Sequence, residues 1–217
     1  EWQPGEMIPS ERELAETYDI SRMTVRQAVN NLVNDGYLVR RRGKGTFVAA
    51  KKIEQPLKGL TSFSEDMRAR GMEPDTVVLG FETVPASKKL AEWLAVKEGD
   101  ALYEIRRLRL ADGSPMALET LYIPCALAPH LTREIVNGSV YEFMEKEVGL
   151  AIGTAVQVIE PSVARKLEVE HLQVKEGAPV LLLERRTYLT DGRPLEVVKS
   201  VYRGDRYKFI VEMERRK

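Results

Sequence analysis

Cys125 is the only cysteine in the 217-residue chain, and His130 and His171 are its only histidines. One thiol cannot close an internal disulfide, so no disulfide framework is expected. With so few thiol and imidazole ligands, a structural zinc site is not expected either. Long apolar runs are also missing. None approaches the roughly 18 residues of a membrane-spanning helix, and no secretory leader is recognisable. The expectation is a cytoplasmic protein with no membrane partner, no metal and no cofactor. Net charge is absent as well, because 33 basic residues balance 33 acidic ones. What remains is 43% hydrophobic and 30% charged, enough for one large globular domain or two small ones.

The zero net charge conceals a local excess. Between residues 22 and 52 stand Arg22, Arg26, Arg40, Arg41, Arg42, Lys44, Lys51 and Lys52, against Asp35 alone, a local charge of +7. A concentrated basic surface matters more to a nucleic acid than the total does. The same region reads "PSERELAETYDISRMTVRQAVNNLVNDGYLVRRRGKGTFV". Ser10 and Glu13 have the spacing of a capping box, so a short helix is predicted to about Tyr18. Ser21 is a second N-cap. The helix after it carries Val25, Ala28, Val29, Leu32 and Val33, an apolar stripe predicted to face a core, and Gly36 ends it. "YLVRR", "RGKG" and "TFVA" read as strand, glycine turn and strand. Helix, turn, helix and hairpin make a winged helix-turn-helix. Met23, Thr24, Arg26, Gln27, Asn30 and Asn31 lie off or beside the apolar stripe, where a major groove would meet them. Gly43 and Gly45 allow the hairpin backbone close to phosphate, with Arg42 and Lys44 supplying charge. A small helical subdomain with a solvated basic face would share any one of these features, but not the ordered set.

This stretch resembles the DNA-binding domain of the GntR family of bacterial transcription regulators, over nearly all of residues 4 to 49. The resemblance implies operator contacts from Arg12, Ser21, Arg22, Thr24, Arg26 and Gln27, and from the wing at Gly43, Lys44 and Gly45. The family places another helix ahead of this point. The chain opens at Glu1 without it, so residues 1–49 are expected to be a winged helix lacking its first helix.

"AAKKIEQPLKG" has neither helical nor strand period, so residues 50–59 are expected to be a linker. Residues 60–217 mix helices and strands, which predicts an α+β domain with a largely antiparallel sheet. "TSFSEDMRARG" reads as a helix with a second capping box, Ser62 with Glu65. "VKEGDALYEIRRLRLADGSPMALETLYIP" and "VKEGAPVLLLERRTYLTDGRPLEVVKSVY" echo one another about 78 residues apart. Two similar hairpins suggest a pseudo-twofold sheet with a ligand at its centre, although shared turn chemistry would produce the same match. In "RRLRL", strand alternation puts Arg107 and Arg109 on one face with Tyr103 and Ile105, and Leu108 and Leu110 on the other, expected to be the core face. Two arginines so spaced can grip one phosphate. A solvated strand face, or an ion pair with Glu119 across the hairpin, is the commoner arrangement for such residues.

The second domain resembles the UTRA effector domain of the HutC-type GntR regulators, whose fold is similar to chorismate lyase. "QPLKGLTSFSEDMRARGM", "RLADGSPMALE", "SVYEF" and "KSVYRGDRYKF" carry the likeness, which is nearest to NagR-type regulators of N-acetylglucosamine utilisation. It implies a homodimer on a palindromic operator, with N-acetylglucosamine 6-phosphate or glucosamine 6-phosphate as effector. It also implies an effector site made of Phe63, Ser64, Arg107, Arg109, Glu119, Ser139, Tyr141, Glu196 and Tyr202, with the backbone of Leu108 and Val140 nearby. The lyase-like fold raises an enzymatic alternative. The chain offers no Ser/His/Asp set, metal cluster or nucleophile–base pair, so no catalysis is expected.

Overall fold

The computed structural model describes residues 2–3, 5–41, 43–49, 52–57, 59–213 and 215. It divides into two compact units, Glu1–Ile53 and Glu54–Lys217.

In the first unit, α1 spans Glu11–Tyr18 behind the Ser10–Glu13 capping box, and Asp19 ends it in a left-handed conformation. Helix α2 spans Arg22–Asn34, capped by Ser21, and Gly36 follows at φ +79°. Strands β1, Leu38–Arg41, and β2, Gly45–Val48, form the antiparallel wing. The stretch ahead of α1 joins that wing. Ile8 N–H donates to Thr46 O (2.9 Å) and Val48 N–H to Glu6 O (2.8 Å). Ile8, Leu14, Ala15, Val25, Val29 and Leu38 make the core. Fully burying such a side chain contributes roughly 1.5–3 kcal/mol. The predicted α2 stripe is only partly covered: Ala28 is exposed and Leu32 is 41% exposed. Leu14, Ala15 and Leu38, from α1 and β1, cluster with Val25 and Val29, and the side of α2 toward Ala28 and Leu32 is left open among the described residues.

The second unit begins where a linker was expected. Ile53–Pro56 is a strand, β3, and it later pairs with a strand near the C-terminus. Then follow α3 (Phe63–Ala69, with the Ser62–Glu65 capping box), β4 (Pro74–Pro85), α4 (Lys88–Leu94), β5 (Ala101–Ala111) and β6 (Ser114–Pro124). A short 3-10 turn leads to α5 (Arg133–Val136) and α6 (Val140–Lys146). Next come β7 (Ile152–Val163), α7 (Lys166–Leu172), β8 (Pro179–Leu189), β9 (Pro194–Arg203) and β10 (Tyr207–Ile210). Six strands form one antiparallel sheet in the order β4-β5-β6-β9-β8-β7, and β10 pairs with β3 separately. The fold is thus a winged helix-turn-helix followed by an α+β domain, as the pattern of elements predicts.

Both faces of the sheet are covered near its middle. On one face Ile105, Leu121, Ile123 and Val198 pack with Val136, Val140, Phe143 and Met144 of α5 and α6. On the other, Leu102 and Val197 pack with Ala91 and Leu94 of α4. The expected orientation of β5 is reversed in consequence. Arg107 and Arg109 share the deeply buried face with Ile105 and Ala111, whereas Leu108 and Leu110 are only half-buried on the opposite face. Arg107 goes to the inside because Glu119 and two backbone carbonyls meet it there, and hydropathy alone cannot show that.

Candidate functional site

The first unit presents an exposed rim at the start of α2. Ser21 Oγ accepts from Thr24 N–H (3.1 Å) and lies 2.9 Å from Thr24 Oγ1, which fixes the first turn and leaves Arg22 exposed beside it. Gln27 Nε2 donates to Asn31 Oδ1 (2.9 Å) on the same exposed side. Arg26 and Arg40 both donate to Glu11 (2.9 and 3.1 Å), so α1, α2 and the wing share one ion-pair network. Arg12 pairs loosely with Glu16 (3.7 Å). Gly43 and Gly45 at the wing tip take φ +73° and +116°, conformations that a side chain would strain. Lys44 is exposed between them. Arg42 and Lys51, counted in the basic stretch, lie outside the described residues. Ser21, Arg22, Thr24, Gln27, Gly43, Lys44 and Gly45 are exposed in the first unit.

The second unit holds a cleft on the α5–α6 side of the sheet, with a cavity volume of about 50 Å³. Strand register assembles its floor. Arg107 of β5 lies opposite Glu119 of β6, which lies opposite Ser200 of β9. One step along, Arg109 lies opposite Ala117 and Ala117 opposite Tyr202. Phe63 and Ser64, at the start of α3, and Ser139, Val140 and Tyr141, at the start of α6, form walls. Glu196 closes one end. Every residue expected at the effector site lines the cleft except Leu108, which points to the opposite face and pairs with Val77 and Leu118.

The two arginines are not alike. Arg107, 5% exposed, has its donors engaged. Nε and Nη2 donate to Glu119 Oε2 (2.9 and 2.7 Å), and Nη1 donates to the carbonyls of Val136 (3.0 Å) and Gly138 (3.3 Å). It braces the turn between α5 and α6. Burial would raise the Glu119 carboxyl, but Arg107 and Arg109 outweigh it and hold the group below the usual carboxylate range. Arg109, 2% exposed, donates from Nη2 to Ser64 Oγ (2.9 Å) and lies over the Phe63 ring at 4.7 Å. Its Nε and Nη1 are buried without a partner. Burial, and then the Arg107 charge, lower its pKa to about 10. An exposed guanidinium would sit at 12.5, so this cation is poorly compensated.

At the other end, Glu196 is 1% exposed. Its Oε1 accepts from Tyr141 O–H (2.7 Å) and Thr187 O–H (3.0 Å), and its Oε2 has no partner. Burial raises the Glu196 carboxyl, although the Tyr141 bond works against it. Burial, and then Glu119, push Tyr202 up to about 12, so its hydroxyl keeps its proton at neutral pH. Sequence reasoning missed Arg185, whose Nε donates to Gln157 Oε1 (2.8 Å), and also Ser200 and Tyr207. Their position depends on cross-strand register, which one sequence does not display. Among the described residues no cluster of His, Cys, Asp or Glu could hold a metal ion, and no helix is long and apolar enough to cross a membrane.

A winged helix joined to a separate domain with a polar, charged cleft defines a DNA-binding regulator with a sensing domain. Comparison with known proteins gives the family. Residues 1–48 match the model of the gntR family of bacterial regulatory proteins, and residues 69–208 match that of the UTRA domain. The chain is 46% identical over 215 residues to the HTH-type transcriptional repressor NagR of Bacillus subtilis, covering 99% of this chain and 88% of that protein. It is 33% identical to the mannosyl-D-glycerate transport/metabolism system repressor MngR of Escherichia coli, over 100% of this chain and 90% of the relative. The crystal structure of PhnF from Mycobacterium smegmatis superposes with a TM-score of 0.74 at 32% identity, over 99% of this chain and 94% of that one. The chain belongs to the GntR family, with a UTRA domain at its C-terminal side, and it is a transcriptional repressor of that family rather than an enzyme.

Proposed function

We propose that this repressor binds a palindromic operator as a cytoplasmic homodimer and releases it when a phosphorylated amino sugar fills the cleft. N-acetylglucosamine 6-phosphate and glucosamine 6-phosphate are the two candidates, and the regulated genes are those of amino-sugar uptake and catabolism. One observation carries the reading. The cleft has two unpartnered cationic donors at one end, Nε and Nη1 of Arg109, and an unpartnered carboxylate oxygen at the other, Glu196 Oε2. A buried polar group without a partner costs about 1–3 kcal/mol, more when charged. A ligand with an anion at one end and hydroxyl or amino donors at the other relieves both at once. A sugar phosphate has that form. Ser64 and Tyr202 add neutral hydroxyls, Ser139 can add another, and the likeness to NagR supports the amino sugar.

On the operator, the α2 rim from Ser21 to Gln27 enters the major groove and Arg12 and the wing hold phosphates. The effector lowers operator affinity only by as much as it prefers the released arrangement of the heads. Calorimetric titration with a panel of phosphorylated and unphosphorylated sugars tests the ligand. Operator binding with and without the best binder tests the coupling. Binding of unphosphorylated sugars as tight as that of the phosphates would refute the anion assignment.

A further inference from the structure

Arg109 and Glu196 are not alone in having idle polar atoms. The Tyr207 hydroxyl is also buried without a partner. Tyr207 lies on β10, 3% exposed, its ring edge-on to Tyr202 with 4.7 Å between centroids, and it lines the same cleft. A buried O–H without a protein partner is unusual, because buried polar side chains nearly always find one. The neighbouring groups do not satisfy it. Asp66 is engaged by Thr61 O–H (2.8 Å) and by Arg70 (3.6 Å), and Tyr202 meets the Tyr207 ring with its own ring.

Resting on the reading of the cleft as a sugar-phosphate site, we infer that the Tyr207 hydroxyl is a ligand-binding group that donates to the same anion as Nε and Nη1 of Arg109. A phosphate monoester has three terminal oxygens, which can accept from all three atoms together. Burial, followed by the Tyr202 and Asp66 charges, raises the Tyr207 ionisation, so the proton is present to donate.

The contact has a consequence for regulation. β10 pairs with β3, and β3 is the strand by which the chain leaves the first unit. Arg70 Nη2 donates to the Glu54 carbonyl (2.9 Å) and Gln55 Oε1 (3.2 Å), and Lys208 of β10 pairs with Glu54 (2.7 Å). An anion held by Tyr207 therefore acts on the strand pair that continues into the DNA-binding unit.

Tyr207→Phe in the full chain is the test, since it keeps the ring and removes only the hydroxyl. One lost hydrogen bond to an anion predicts about a tenfold weaker affinity for glucosamine 6-phosphate and a similar loss for inorganic phosphate. The ligand-free variant should melt at the wild-type temperature or slightly above it. The ratio of affinities for an in vitro-selected operator, without and with saturating sugar phosphate, should shrink. Unchanged affinity for both anions in the variant would overturn the inference while leaving the sugar-phosphate reading intact. A weakened affinity accompanied by a lowered melting temperature would make Tyr207 a packing residue and overturn it too. A wild-type chain that binds neither anion would overturn both readings.

Discussion

Arg109→Met separates a structural arginine from a ligand-binding one. Methionine nearly matches the volume and removes the charge. At neutral pH the cation bears its full burial penalty, because its folded pKa of about 10 and the unfolded 12.5 both lie well above 7. That gap corresponds to about 3 kcal/mol against the folded state. Met forfeits the Ser64 bond, about 1.5 kcal/mol, and the Phe63 ring contact, about 1 kcal/mol. The balance favours the variant slightly, so the effector domain should keep its melting temperature or gain up to about 4 °C by scanning calorimetry. Sugar-phosphate affinity should fall by at least about 100-fold by titration calorimetry, since two charge-assisted bonds of about 1.5–3 kcal/mol each are lost. A group that costs stability and supports binding belongs to a binding site. A variant that melts more than about 5 °C lower yet binds the ligand normally would refute this reasoning, and Arg109 would then be a structural cation.

Glu119→Ala should be severe by contrast, destabilising the domain by about 3–5 kcal/mol in urea titration, because it strands the buried Arg107 charge. Replacing both partners, as in Arg107→Met with Glu119→Leu, should restore much of that loss. Arg22→Ala should leave melting unchanged, since the side chain is exposed, but should weaken operator binding by about 1–3 kcal/mol and relax the base preference at one operator position. The raised carboxyl of Glu196 means that this group's own contribution to stability is fully present below the unfolded pKa near 4.5 and is lost as pH rises through the higher folded value. Glu196→Gln should therefore flatten the decline in stability above pH 4.5, read from melting curves across a pH series.

Capping chemistry made the helix starts legible. Ser10, Ser21 and Ser62 each cap the helix that follows them. The two echoing hairpins and their DG turns showed a largely antiparallel sheet, and they are β5–β6 and β8–β9. β3 and β10 escaped notice because four residues are too few to show a period, and Pro56 sits at the end of one of them. Alternation put Arg107 and Arg109 together but could not say which face was buried. Both faces of β5 carry charge, Glu104 and Arg106 on one and Arg107 and Arg109 on the other, so alternation has no single polar face to read. Glu119 was legible because a tight hairpin brings its strand back beside Arg107. Arg185 and Tyr207 were not, because they meet the cleft through strands distant in sequence.

The strand order reads the same from either edge: strand, helix, strand and strand, met first as β4, α4, β5 and β6, then as β7, α7, β8 and β9. Both hairpins even slip register at matching places, after Arg109 and after Thr187. Arg107 and Arg185 therefore occupy equivalent sites in the two halves. A sugar phosphate has no such equivalence between its ends. A frame of two like halves can grip an unlike-ended molecule only by letting matched positions diverge. Arg109 on one side answers to Thr187 on the other, and Ala117 answers to Glu196. The polarity of the cleft, cation at one end and acid at the other, comes from unlike residues at matched positions of two like halves.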